Sequence, residues 1–143
     1  MKNKHSNQRG FFRVDAHVPF ISRLVPAEDK EDLFSDILSI DSVPALTRAP
    51  LKKVDLSGGG VSFDTTEHYV HGDIIEIHMV LNKVHEGALL VYGEAVRVDM
   101  ISRNLYRVAV RFVSLDERIR DLIIKFVFIR EREIIAERRV GWI

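Results

Sequence analysis

Between Leu51 and Val113 apolar and polar residues alternate in short runs separated by tight-turn signals. This stretch limits the fold more than any other part of the chain. Val54 and Leu56, then Val61 and Phe63, occupy every second position on either side of Gly58-Gly59-Gly60. The run Ile74–Leu81 follows the turn signal Gly72-Asp73, and Ala88–Met100 and Leu105–Val113 are β-branched and partly alternating. A period of two puts one set of side chains on a single face of a strand, so each run reads as a half-buried strand. Several short strands joined by tight turns favour a small antiparallel barrel or sandwich, and closure removes aggregation-prone edges. A first strand is expected over Val14–Leu24, behind an N-terminal arm of residues 1–13.

Two segments depart from that texture. In Val25–Ala49, Pro26 and Pro44 bracket an acid-led stretch in which Leu33, Phe34, Ile37 and Leu38 recur at helical spacing. This predicts a short inserted helix, its leading acids suited to the helix dipole. After Ser114 the period changes again. Ser114 with Glu117 three residues on has the form of a capping box, and Leu115, Ile119, Leu122, Ile123 and Phe126 mark one helical face. A C-terminal helix is expected over 115–139. Leu122–Ile129 is apolar nearly all round, so one stripe is expected to cover the β domain and the excess to pack on another protomer, a homodimer through this helix.

The 143 residues suit one domain with its own core. Basic and acidic residues balance at 21 each, so no overall field attracts a nucleic acid polymer, and any anion site must be local. The chain has no cysteine, which excludes disulfides, thiol catalysis and thiolate metal sites. No apolar run approaches the ~18–20 residues that cross a bilayer, and Met1–Gln8 is polar, so a cytoplasmic protein without membrane insertion is expected.

Two clusters carry the functional signal. Arg9-Gly10-Phe11-Phe12-Arg13 sets two guanidinium groups four residues apart, and each planar fork can donate parallel hydrogen bonds to phosphates or purine edges. Asp55-Leu56-Ser57-Gly58-Gly59-Gly60 is an acid–hydroxyl–glycine run between two strands. Asp and Ser build such turns for purely local reasons, and the glycines suit positive φ. The run is not a P-loop, because no Gly-Lys-Ser/Thr follows and Val61-Ser62-Phe63 continues as a strand. Ser57 has no adjacent His to activate it, so no enzyme is expected. His68 and His71, with Glu67 and Asp73 nearby, lack a helix to present them to a metal, and none is expected. His17 and His78 fall within predicted strands, where outward-facing or hydrogen-bonded roles are expected.

In this order and context the two clusters resemble the PilZ family of cyclic di-GMP receptors. The phrase Arg9–Val14 and the helix from Leu115 to Glu133 look especially like PilZ domains of the flagellar-brake type. The family's R-x-x-x-R falls on Arg9 and Arg13, and its D/N-x-S-x-x-G on Asp55, Ser57 and Gly60. The resemblance implies a mainly β fold, a six-stranded antiparallel barrel whose outer face holds the dinucleotide against these five residues. Gln8 and Gly59 are added as secondary contacts. Chemically, Arg9 and Arg13 suit phosphates and guanine O6/N7, and Asp55 suits guanine N1–H and N2–H₂. Ser57 can bond a base or order the loop, and Gly60 lets backbone approach the ligand. No cofactor other than this ligand is implied, and the expected partner is an effector of the flagellar, pilus or polysaccharide machinery. Many family members carry a further Arg just before the motif, where Gln8 stands here, and Gly10 sits where another Arg is common, which points to one ligand per chain. The rival reading is a ligand-independent interaction module that keeps the fold, and the two intact motifs count against it.

Overall fold

The computed structural model describes residues 12–26 and 51–141. Six antiparallel strands, β1 (Arg13–Leu24), β2 (Leu51–Ser57), β3 (Gly60–Thr65), β4 (Ile74–Met79), β5 (Leu89–Ser102) and β6 (Leu105–Val113), precede one helix, α1 (Glu117–Gly141). The strands close into a barrel in the order β1-β2-β3-β6-β5-β4, with β4 returning to β1. Of the two architectures that the alternation allows, the barrel is the one formed. The inserted helix expected within Val25–Ala49 lies outside the described residues, as do Gln8 and Arg9.

Closure depends on the length of β1. Arg13–Pro19 pair with Ser57–Leu51 of β2, and Phe20–Leu24 pair with Met79–Ile75 of β4. Pro19, which has no N–H to donate, sits where β1 changes partner, and its carbonyl accepts from Val80 N at 3.1 Å. The strict alternation of β1 then sorts its side chains. Val14, Ala16, Val18 and Phe20 enter the core while Arg13, Asp15 and His17 face solvent. The same parity sends Val54 and Leu56, Val61 and Phe63, Ile75 and Ile77, and Val108 and Val110 inward to a common core. Packing them there supplies the main stabilisation, at about 25 cal/mol per Å² of apolar surface removed from water.

The helix begins two residues later than its 115–139 prediction. Ser114 does not cap it: its φ is +50°, outside the extended conformation of an N-cap. Asp116 takes that role, its Oδ1 accepting from Arg118 N at 2.7 Å. Ile123, Phe126 and Val127 are buried, and α1 packs on β1 and β2. Phe128 and Ile135 remain half-exposed. Among the described residues no helix is long and apolar enough to cross a membrane.

Candidate functional site

Arg13 is the first residue of β1, so its backbone belongs to the barrel although it ends the expected arm. It pairs in register with Ser57, while Asp15 pairs with Asp55. Arg13 and Asp55 are therefore diagonal neighbours on one face, within reach of long side chains. Their side chains form an ion pair, Arg13 Nη2 donating to Asp55 Oδ2. Both are part-exposed, so the pair itself adds little stability. It does hold a guanidinium and a carboxylate side by side at a surface.

The turn after Asp55 is ordered by Ser57. Its Oγ accepts from Gly59 N and Gly60 N, both at 3.2 Å, and donates to Gly60 O at 3.3 Å. Of the two roles open to this hydroxyl, ordering the loop is the one the structure displays. Gly59 is fully engaged as well, since its carbonyl accepts from Phe112 N at 2.9 Å. The glycine run does not supply positive φ: among the described residues the positive-φ glycines are Gly72 and Gly87. Gly60 answers a different demand. A Cβ there would lie 2.2 Å from Val110 O on the neighbouring β6. The motif glycine thus admits the close approach of two strands.

Arg13 and Asp55 open on a groove of about 840 Å³ along the outer face of the barrel. Its floor follows one cross-strand row, Asp55 to Ser62 to Ala109 to Arg97, crossing β2, β3, β6 and β5. Lys53, Asp64, Asp99 and Arg107 also line it. Arg107 gives two hydrogen bonds to Asp64, at 2.9 and 3.3 Å, and that carboxylate pushes the guanidinium pKa further up. Arg97 Nε lies 2.7 Å from Asp99 Oδ2. The groove is therefore walled by three guanidinium–carboxylate pairs. Sequence reading reached only the first: Arg107–Asp64 depends on β3 lying beside β6, and the facing of Arg97 and Asp99 depends on how β5 pairs with β6. The alternation Arg107-Val108-Ala109 was the one local sign of an outward charged face.

Outside the groove, other candidate side chains are occupied. His68 Nε2 hydrogen-bonds Tyr106 Oη at 2.7 Å and Asp73 Oδ2 accepts from Val70 N at 2.8 Å. The described residues contain no group of three or more His, Asp or Glu that could hold an ion. His17 is exposed; His78, buried, hydrogen-bonds Glu76 at 2.9 Å.

Comparison with known proteins agrees with this fold. A pathogenic protein of Xanthomonas campestris, described as a tetrameric PilZ domain self-assembled via an unusual helical bundle, superposes with a TM-score of 0.63 at 10% identity. The match covers 93% of this chain and 99% of that one. The Bacillus subtilis inhibitor of motility (MotI/DgrA) superposes with a TM-score of 0.57 at 13% identity, covering 87% of this chain and 52% of that chain. This chain thus spans about half of the Bacillus protein. At such identities these likenesses speak to the fold. No curated protein matches the sequence. The PilZ domain model matches residues 7–128, a span that takes in both clusters and all six strands, and the chain belongs to that family.

Proposed function

We propose that the protein is a cytoplasmic cyclic di-GMP receptor that turns binding of the second messenger into altered protein–protein contacts. The supporting observation is the Arg13–Asp55 pair at the mouth of the groove, beside a turn ordered by Ser57. A guanidinium donates to phosphate or to guanine O6/N7, and a carboxylate accepts from guanine N1–H and N2–H₂. Exchanging the intramolecular pair for these ligand bonds keeps every charge satisfied, so entry of the ligand carries little desolvation penalty. Arg9 joins the site as the other half of the family motif, and Gly60 acts through the barrel. The protein performs no bond chemistry in this reading. Its output runs through motility, secretion or exopolysaccharide machinery; of the similar structures, one is an inhibitor of motility. The face of α1 that carries Phe128 and Ile135 is the surface for a second protomer, as a helical bundle is in the similar tetramer.

Titration calorimetry with cyclic di-GMP, and with GMP and cyclic di-AMP as controls, tests the reading. One cyclic di-GMP is expected per chain, with no binding of the controls at the same concentration. Arg13→Ala and Asp55→Ala are each expected to abolish measurable binding. An exposed pair contributes roughly 0–1 kcal/mol, so melting should shift by no more than about 4 °C. Unchanged affinity in both variants refutes the site.

A further inference from the structure

Strand β5 carries an irregularity that bears directly on the groove. Ala95 pairs with Val110 and Arg97 with Ala109, so Val96 is an extra residue, a β-bulge. Before it, the odd-numbered positions Leu89, Val91 and Ala95 face the core. Had that parity continued, Arg97 and Asp99 would point into the barrel. A one-residue slip moves every later side chain to the other face. Val98 consequently packs against the core, and Arg97 and Asp99 emerge on the face that holds Asp55.

We infer that Arg97 and Asp99 form a second guanine-reading pair, on the wall of the groove opposite Arg13 and Asp55. The inference rests on the cyclic di-GMP reading above. Guanine offers acceptors at O6 and N7 on one edge and donors at N1 and N2 on another. A guanidinium only donates and an ionised carboxylate only accepts, so one Arg–Asp pair holds both complements. A ligand with two guanines calls for two such pairs. The row from Asp55 to Arg97 crosses three strand spacings, about 14 Å of backbone, over the small side chains of Ser62 and Ala109. That leaves an open, shallow floor between the two pairs. Arg97 is also the freer of the two arginines on this side. Arg107 is held by two hydrogen bonds to Asp64, whereas Arg97 meets Asp99 through a single Nε···Oδ2 approach and is 73% exposed.

The test is calorimetric titration of cyclic di-GMP into wild type, Arg97→Ala, Asp99→Asn, Asp55→Ala and Arg103→Ala. Arg103, on the hairpin turn after β5, carries the same charge outside the groove. Arg97→Ala and Asp99→Asn are each expected to weaken binding roughly 5- to 150-fold, the range for one bidentate base contact, with Arg103→Ala within about twofold of wild type. One ligand per chain in wild type assigns the pair to the second guanine of the same molecule. Two per chain, falling to one in Arg97→Ala, assigns it to a second molecule. Wild-type affinity and stoichiometry in both groove variants overturns the inference while the loss in Asp55→Ala leaves the receptor reading standing. Equal weakening by Arg103→Ala overturns it too, since charge alone then explains the effect. Absence of binding by the wild type removes both readings.

Discussion

Gly60 lies where β3 and β6 approach too closely for a side chain, and Gly60→Ala tests that packing role by melting of the ligand-free protein. The added Cβ would lie 2.2 Å from Val110 O, 3.2 Å from Val110 C and 3.4 Å from Arg111 Cα. Every one of these atoms is backbone, so no side chain can swing aside. Restoring an ordinary contact of about 3.4 Å requires β3 to recede from β6 by roughly 1 Å. That displacement stretches neighbouring ladder bonds beyond useful length, among them Phe112 N to Gly59 O, now 2.9 Å. Overpacking of this kind costs about 1–3 kcal/mol. Stiffening of the unfolded chain by Gly→Ala returns about 0.4–1 kcal/mol. The net loss is then roughly 1–2 kcal/mol, equivalent to a fall in Tm of about 3–8 °C for a domain of this size. Thermal melting of ligand-free protein by circular dichroism reads this directly. An unchanged or raised Tm, with cyclic di-GMP binding lost, would show that the glycine serves the ligand and would sink the strand-packing account.

Two further outcomes follow from the charges. Burial works to raise the pKa of Glu76, but hydrogen bonds and charges from Arg23 and His78 outweigh it and hold the carboxyl below its usual value. A lowered folded-state pKa contributes stability above the unfolded value near 4.5 and loses it as pH falls through the folded value. Wild type should therefore lose stability below about pH 4.5 more steeply than Glu76→Gln, which at neutral pH should be destabilised by roughly 1–3 kcal/mol; urea melts from pH 3 to 7 that run parallel (roughly the range over which carboxylates titrate) would contradict this. Among the described residues of the groove, Arg13, Lys53, Arg97 and Arg107 face Asp15, Asp55, Asp64 and Asp99, so this part of the lining is neutral. Cyclic di-GMP affinity is accordingly expected to depend only weakly on salt, unlike binding to a basic patch; a steep loss of affinity between low and physiological salt would count against it.

Much of the barrel is visible in the amino-acid sequence because each strand has one buried face. Val14, Ala16 and Val18, or Val61 and Phe63, announce that face by spacing alone, and the switch to helical period after Ser114 is as plain. Local competition blurred the helix start: Ser114 and Asp116 both suit an N-cap, and the φ of +50° that the chain adopts at Ser114 leaves the cap to Asp116. The near wall of the groove is legible through Arg13 and Asp55, which lie in motifs. The far wall is not. Arg97 and Asp99 read by parity as inward-facing, and only the extra residue Val96, defined by pairing with β6, turns them outward. The packing demand on Gly60 is hidden in the same way, since the atom that excludes a side chain there belongs to Val110 on β6, far away in the chain.

Strand β1 joins the groove to the helix, and this gives the proposed receptor a physical route from site to surface. Successive residues on a strand point to opposite sides. Arg13 turns into the groove, while Phe12 just before it lies edge-on to Phe128 of α1, with ring centroids 6.1 Å apart. Two residues on, Asp15 lines the groove with its side chain and accepts from Arg130 Nε of α1 at 3.1 Å with its carbonyl. Arg130 in turn meets Glu133, which pairs with Lys83 on the β4–β5 connection. The first residues of β1 thus hold ligand-facing side chains and helix-facing contacts on the same few peptide units. A ligand that draws Arg13 away from Asp55 acts on a backbone whose neighbouring atoms seat Phe128 and Arg130. Because Phe128 is half-exposed, what moves with β1 is a surface that a partner can touch. The coupling needs no chain of buried side chains across the barrel, only the shared strand.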